Sequence, residues 1–91
     1  MAAVAQACED SGYDSVWTGE HIVLPDPQAP PSPAAPATAF VDSAASLSFL
    51  AATTTTIKLG TGIVILPQRQ PAVLAKSLAS VDHLSGGRLM F

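Results

Sequence analysis

Cysteine and basic residues are scarce in this chain, and each shortage excludes a class of protein. The one cysteine, Cys8, cannot form an internal disulfide, which favours a cytoplasmic setting. The four basic residues are too few and too scattered to form a nucleic-acid face. No apolar run approaches the roughly 20 residues of a membrane span, and the alanine-rich start lacks the basic n-region of a signal peptide. We therefore expect a cytoplasmic protein whose partners include neither nucleic acid nor membrane.

Several well-known binding motifs are also missing. The sequence contains no Gly-x-Gly-x-x-Gly turn, no P-loop, no Cys-x-x-Cys pair and no His-Glu-x-x-His. These absences argue against a Rossmann nucleotide site, a P-loop and a structural zinc site within these residues. The two histidines, His21 and His83, lie on different predicted elements. We therefore predict no metal site.

What is present is an alternation of helical and strand patterns. The predicted order is a helix over Ala2–Ser11, a strand over Ser15–Thr18, a helix from Asp42 or Ser43 to about Thr53, a strand over Ile57–Leu66, a helix from Pro71 to the Gly86-Gly87 pair, and a strand from Arg88. Such alternation is typical of an α/β protein with parallel strands. Because a complete (β/α)8 barrel takes roughly 250 residues, residues 1–91 are predicted to form an incomplete TIM-barrel domain.

The apolar residues predict which surfaces are buried. On the second helix, Leu47, Leu50 and Ala51 share one face. The third helix carries a longer stripe, made of Val73, Leu74, Leu78, Val81 and Leu84. Trp17 is interpreted as a core residue and Cys8 as a small buried residue of the first helix. The second strand is continuously apolar, as expected of a parallel strand that is covered on both faces.

Six of the eight prolines lie between Pro25 and Pro36. Proline lacks the N–H that helices and sheets use, so this segment is predicted to be an irregular loop. One interpretation is a variable surface excursion. The other is a lid, because the loop leaves the carboxyl end of a strand, where a substrate would bind.

Two pairs of residues are candidates for a functional site. Glu20 and His21 follow the first strand, and ligands of parallel α/β proteins gather at the carboxyl ends of strands. They are either a catalytic pair or solvated loop residues. Gly60 and Gly62 lie two apart and so share one face of the second strand. They allow either close packing of barrel layers or a floor without side chains on which a flat ring system could lie.

Four segments, in this order along the chain, resemble the bacterial luciferase-like monooxygenase family. The segments are Ser11–His21, Ile57–Pro67, Pro71–Lys76 and Leu84–Arg88. The likeness is greatest to the branch that uses the deazaflavin coenzyme F420. The resemblance implies a TIM barrel of which this chain spans helix 1 to strand 4. It also implies a flavin or deazaflavin at the carboxyl ends of the strands.

The resemblance assigns roles to the two residues after the first strand. Glu20 and His21 match the family's acidic-His pair. His21 would accept, donate or stabilise the proton of a substrate carbinol, as an imidazole can near neutrality. Glu20 would bind the ring system of the cofactor or orient His21.

The resemblance also implies contacts between the cofactor and further positions of this chain. Gly60, Gly62 and Ile63 would lie against its ring, and the family's cis peptide bond in the third barrel strand would fall at Gly62-Ile63. Arg69, at the end of that strand, would meet a negative charge of the cofactor tail; a plain surface role for Arg69 is the alternative.

The implied activity is hydride transfer between coenzyme F420, or alternatively FMN, and a small organic substrate. It would belong to a longer parent protein, for which a homodimer is one expected assembly, and the fragment alone is expected to be inactive. The competing hypothesis is a non-catalytic barrel subunit that keeps the fold and binds no cofactor, since a fold does not fix a function.

Overall fold

The structure is a computed structural model that describes every residue from Met1 to Phe91. Three α-helices alternate with three β-strands: α1 (Ala2–Asp10), β1 (Ser15–Thr18), α2 (Ser43–Thr53), β2 (Lys58–Thr61), α3 (Pro71–Ser85) and β3 (Leu89–Met90), with a short 3-10 helix at Leu66–Gln68. The strands form one parallel sheet in the order β1-β2-β3. The predicted α/β class and element order are confirmed. None of the helices has the length and apolarity that a bilayer crossing requires.

Side-chain caps define where the second and third helices begin. Asp42 is the N-cap of α2, and its Oδ1 accepts a hydrogen bond of 3.1 Å from the Ala45 N–H. Gln70 caps α3 in the same way, because its Oε1 accepts from the Val73 N–H at 2.7 Å. Each cap satisfies one of the N–H groups that a helix start leaves without a partner. The predicted helix boundaries are therefore close to the observed ones.

The hydrophobic core lies between the three helices and one face of the sheet. Its seven members are Ala5, Leu47, Leu50, Ala51, Ile57, Leu59 and Val81, and the half-buried Cys8 packs against them. The predicted face of α2 is confirmed. On α3 the five-residue stripe is wrong at both ends, since Val73 and Leu84 are exposed. The contact of α3 with α2 and β3 buries only the middle of the stripe, at Leu78 and Val81.

The second strand is shorter than its apolar pattern predicts. β2 ends at Thr61, whereas the pattern extends to Leu66. β1 ends at Thr18, and its last carbonyl accepts from the Gly62 N–H at 2.7 Å. No strand residue beyond Thr18 is left to pair with the chain after Gly62, so that chain turns away from the sheet.

Trp17 lies on the face of the sheet opposite the helices. In the register of the strands, Trp17 is opposite Gly60, and Gly60 is opposite Met90. Their neighbours Val16 and Leu89 instead pack against the core. Trp17 is 51% exposed, so the interpretation of this residue as core is wrong in this structure. Side chains alternate between the faces of a strand, and only one face carries helices here.

The indole ring of Trp17 fills the space over Gly60. A Cβ built on Gly60 would lie 2.4 Å from Cδ2 and Cε3 of Trp17. The Trp17 Nε1–H also donates to the Ser15 hydroxyl at 2.9 Å, which helps to fix the ring. Close packing between neighbouring strands therefore accounts for Gly60, and the ring-floor interpretation does not hold at this residue.

Arg88 joins the end of α2 to the start of β3. Its guanidinium donates five hydrogen bonds of 2.7 to 3.1 Å, to the carbonyls of Ala51, Thr54, Ile57 and Ser85 and to the Thr54 hydroxyl. The last carbonyls of a helix have no partners within the helix itself. A single side chain thus provides hydrogen-bond donors for the free carbonyls at the end of α2 and in the connection into β2.

Glu9 binds the main-chain N–H groups of the loop that leads into β2. Its carboxylate accepts from the N–H groups of Thr55, Thr56 and Ile57, the last at 2.8 Å. The hydrogen bonds from Ile57 and Thr56 are the main reason that the pKa of Glu9 is lowered from its ordinary value of 4.5 to about 2. The N–H groups of Thr55, Thr56 and Ile57 therefore form a carboxylate site that links α1 to the sheet.

We expect Glu9 to make folding stability depend on pH. Because folding lowers its pKa, its stabilisation is complete above pH 4.5 and is lost as the pH falls from 4.5 towards 2. Glu9→Gln should be less stable than the wild type at neutral pH, and the difference should shrink across that window. Urea unfolding of both proteins at several pH values measures this, with Asp10→Asn as the control. A constant difference across the window would contradict the assignment.

Gly60→Ala should be destabilising by about 1–3 kcal/mol, the usual cost of overpacking. The added methyl group would displace Trp17, so combining it with Trp17→Leu should recover part of the loss. Thermal or urea unfolding measures both effects. Gly19→Ala is the matched control, because a Cβ on Gly19 meets no atom within 4 Å. Equal stability of Gly60→Ala and the wild type would show that the indole does not occupy this space.

Candidate functional site

Glu20 is buried and bound to protein groups on both of its carboxylate oxygens. Oε2 accepts a hydrogen bond of 2.8 Å from the Ile65 N–H. Oε1 pairs with Nη2 of Arg69, and the Glu20 side chain is only 1% exposed. Glu20 makes no hydrogen bond to His21. The expectation that Glu20 binds the cofactor ring or orients His21 is therefore wrong in this arrangement, because Arg69 and the main chain already use both oxygens.

Arg69 connects two carboxylates from different parts of the chain. Its Nη2 pairs with Glu20, and its Nη1 lies 2.7 Å from Oδ2 of Asp42. Hydrogen bonding to Glu20 first, and to Asp42 second, raises the pKa of Arg69. Burial would raise the pKa of Asp42, but the Ala45 N–H and Arg69 together lower it. We call Glu20, Arg69 and Asp42 the ion cluster; at neutral pH it carries one net negative charge.

The ion cluster corrects the role predicted for Arg69. A guanidinium that is paired with two carboxylates has no free charge with which to bind the anionic tail of a cofactor. It is not a plain surface residue either, since its side chain is 21% exposed. The sequence placed Asp42 at a helix start, and nothing in its pattern indicated that Asp42 and Arg69 meet.

His21 stands apart from the ion cluster. It follows β1 directly, and its ring lies edge-on to that of Phe40, with 4.8 Å between ring centroids and 65° between planes. Such a T-shaped arrangement is favourable for aromatic pairs. The imidazole makes no hydrogen bond within the chain, so both ring nitrogens remain free for a ligand. Phe40 was missed at the sequence level, although it is the one phenylalanine, tyrosine or tryptophan in the long segment between β1 and α2.

A pocket of about 420 Å³ opens beside His21 at the carboxyl ends of β1 and β2. Its lining residues come from the ends of the two strands and from the connection to α2: Gly19, Glu20, His21, Pro33, Phe40, Gly62 and Ile63. The structure thus brings Gly62 and Ile63 together with His21. Gly60 and Arg69 do not line this pocket. No three of the chain's histidine, cysteine, aspartate and glutamate side chains are placed to hold a metal ion.

Gly62 is held close to the end of β1. A Cβ on Gly62 would lie 3.1 Å from the Thr18 carbonyl oxygen, tighter than an ordinary contact. The cis peptide bonds of the chain are Asp26-Pro27 and Pro30-Pro31, so the bond Gly62-Ile63 is trans and the expected cis bond is not found. A non-proline cis bond costs about 3–4 kcal/mol. The Gly62 N–H already continues the ladder to Thr18 with the trans bond, so nothing here enforces the cis form.

The proline-rich segment borders the same histidine. Residues 25–36 contain neither a helix nor a strand, which confirms the predicted irregular loop. A second open pocket, of about 310 Å³, lies between His21 and this loop, which contributes Pro25 and the run from Ala29 to Pro33. Both the lid and the surface excursion are compatible with this position, so the lid stays a prediction.

The pocket beside His21 fits the ring portion of a flavin or deazaflavin. Such a ring system is flat and largely apolar, and pockets for it combine apolar walls with a few polar groups. Phe40 and Ile63 provide apolar walls, Gly62 leaves main chain bare, and His21 offers a free polar group. No lysine or arginine lines this pocket, so it offers no permanent positive charge for a phosphate tail.

Comparison with known proteins points to one family. The model of the luciferase-like monooxygenase family matches residues 1–91. The chain is 32% identical over 88 residues to a 5,10-methylenetetrahydromethanopterin reductase of Methanolobus tindarius, a match that covers 97% of this chain and 22% of that protein. It is 30% identical over 87 residues to a Mycobacterium tuberculosis protein provisionally named a coenzyme F420-dependent oxidoreductase, covering 96% and 20%.

A solved structure gives the same result. Riboflavin lyase, crystallised with modified FMN and its substrate riboflavin, superimposes with a TM-score of 0.76 at 30% identity, over 97% of this chain and 20% of that one. The chain spans about a fifth of the length of each of these three proteins. With a family model that matches from end to end and a sheet that superimposes on a segment of this enzyme, the chain belongs to the luciferase-like monooxygenase family.

Proposed function

We propose that this chain is part of a longer oxidoreductase that transfers a hydride between coenzyme F420 or FMN and a small organic substrate. The observation that supports this most is the position of His21. It lies at the carboxyl end of a parallel strand, beside an open pocket, with an imidazole that the fold does not use. Relatives that are oxidoreductases by name add weight to an enzymatic role for the parent.

The residues of this chain would divide the work as follows. When bound, the flavin or deazaflavin supplies the hydride chemistry, which no side chain can provide. Gly62 and Ile63 would hold the ring at one wall of the pocket. His21 would hold a proton at, or remove it from, the substrate oxygen that changes between carbinol and carbonyl. Phe40 would keep the imidazole in place and exclude water from it.

Coenzyme F420 is our first choice of cofactor and FMN our second. The segments around Glu20-His21 and Gly60–Pro67 resemble the deazaflavin branch, and one relative is named for coenzyme F420. The solved structure with modified FMN is equally similar in sequence, at 30% identity. Arg69 does not favour either cofactor, because its pairing with Glu20 and Asp42 leaves it no free charge for a cofactor tail.

A non-catalytic barrel subunit is the second candidate function. The observation in its favour is that Glu20, Gly60 and Arg69, three of the predicted cofactor contacts, are engaged in packing or ion pairing. Such a subunit would keep the ion cluster and the sheet but bind neither cofactor. Cytoplasmic location and a homodimeric assembly stay predictions for either candidate.

We expect His21→Ala, in the full-length protein, to slow cofactor reduction by substrate about 10²–10⁴-fold, the usual contribution of a positioned acid–base group. Cofactor affinity should change little, because the imidazole serves the proton and the main chain serves the ring. Stopped-flow reduction and equilibrium titration separate the two quantities. His83→Ala is the matched control, since His83 is an exposed residue of α3. Reduction at the wild-type rate in His21→Ala would exclude the catalytic role.

Titration of the full-length apoprotein with each cofactor tests the choice between them. We expect coenzyme F420 to bind more tightly than FMN. Binding is measured by the absorbance or fluorescence of the cofactor ring. Tight FMN binding without F420 binding would reverse the preference. Binding of neither cofactor by a correctly folded protein would favour the non-catalytic subunit.

A further inference from the structure

We propose that Arg69 is a positioning residue that fixes the two walls of the His21 pocket relative to each other. This inference rests on the proposed function, because it assigns Arg69 a role in placing the group that would handle the proton. Arg69 itself does not line the pocket. It acts through Glu20 on one wall and through Asp42 on the other.

The first wall is held through Glu20. One oxygen of the Glu20 carboxylate accepts a hydrogen bond of 2.8 Å from the Ile65 N–H, and the other accepts one from Arg69. Ile65 follows the pocket residues Gly62 and Ile63 by only a few positions. The carboxylate thus anchors the chain just beyond β2 to the residue that precedes His21. Without the cation, a buried carboxylate would be left uncompensated, which is strongly unfavourable.

The second wall is held through Asp42. Its Oδ2 lies 2.7 Å from Nη1 of Arg69, while its Oδ1 caps α2. Two residues earlier in the chain is Phe40, whose ring contacts that of His21 edge-on. The position of Phe40, and with it one face of the imidazole, therefore depends on where Arg69 holds Asp42.

The geometry requires arginine in particular. A planar guanidinium presents two nitrogens in a fixed fork and can bind two carboxylates at once, whereas an ammonium is a single point charge. Nη1 and Nη2 of Arg69 each meet a different carboxylate. A role as a direct cofactor contact is disfavoured, because Nη1 and Nη2 are each paired with a carboxylate and the third nitrogen, Nε, is buried.

The test uses Arg69→Ala and Arg69→Lys in the full-length protein, with Lys76→Ala as control. Lys76 is an exposed cation of α3 that takes part in no ion pair. The first measurement needs no cofactor: amide hydrogen exchange of Ile65 in the apoprotein. We expect Arg69→Ala to speed this exchange by about tenfold or more, since Glu20 loses the cation that keeps it in place. Lys76→Ala should leave it unchanged.

The second measurement separates rate from affinity in the cofactor-loaded protein. Misplacing a reacting group by about 1 Å can cost about 10²-fold. We therefore expect cofactor reduction to slow by about 10–100-fold in Arg69→Ala while the cofactor Kd stays near its wild-type value. Arg69→Lys should also be slow, because it can reach only one carboxylate. Added guanidinium ion should restore part of the rate in Arg69→Ala, and methylammonium should restore less.

Two results would overturn the proposal. Unchanged Ile65 exchange in a folded Arg69→Ala protein would show that Arg69 does not fix the wall that is held through Glu20. A cofactor affinity that falls in step with the rate would show that Arg69 binds the cofactor directly. Failure of the proposed function has a different signature: His21→Ala reduces normally, or no cofactor binds, while the Ile65 exchange of the Arg69 variants still increases.

Discussion

The ion pair between Glu20 and Arg69 is the interaction on which the geometry of the strand ends depends. An ionised carboxylate that is 1% exposed requires compensation by charge and by hydrogen bonds. Both come from residues after β2, the Ile65 N–H and the Arg69 guanidinium. The chain beyond Gly62, which does not extend the sheet, is thereby held against the end of β1. Residues from both parts line the pocket beside His21.

Charged side chains hold the other connections of this small sheet as well. Glu9 binds three successive N–H groups in the loop before β2, and Arg88 binds the carbonyls at the end of α2. Each joins groups that are far apart in sequence. The hydrophobic core has only seven residues. The conformations of the loops therefore depend largely on these hydrogen bonds between side chains and the main chain.

The sequence predicted the parts of the fold that depend on local patterns. Helix ends at Asp42, Pro71 and Gly86, the parallel order of the strands and the buried face of α2 all follow from caps, turns and periodicity. The helix ends and the buried face of α2 depend on residues that are near one another in the chain. The parallel order of the strands follows from the alternation of helices and strands along the whole chain.

The errors concern contacts between distant residues. β2 is shorter than its apolar pattern because strand length depends on the partner strand, and Trp17 is exposed because only one face of the sheet carries helices. For the site, the sequence named His21, Gly62 and Ile63 as candidate residues, and in the structure these three residues line one pocket. It misjudged Glu20 and Arg69, since a carboxylate next to a histidine looks the same in sequence whether it faces a ligand or a guanidinium.

A double-mutant cycle on Glu20→Gln and Arg69→Met tests the central claim most directly. Unfolding free energies of the wild type, both single variants and the double variant, measured in the full-length protein, give the coupling between the two side chains. If the ion pair organises the strand ends, the coupling free energy should be about 1–3 kcal/mol. The double variant should then lose less stability than the sum of the losses of the two single variants. Effects that add to within about 0.5 kcal/mol would contradict the account.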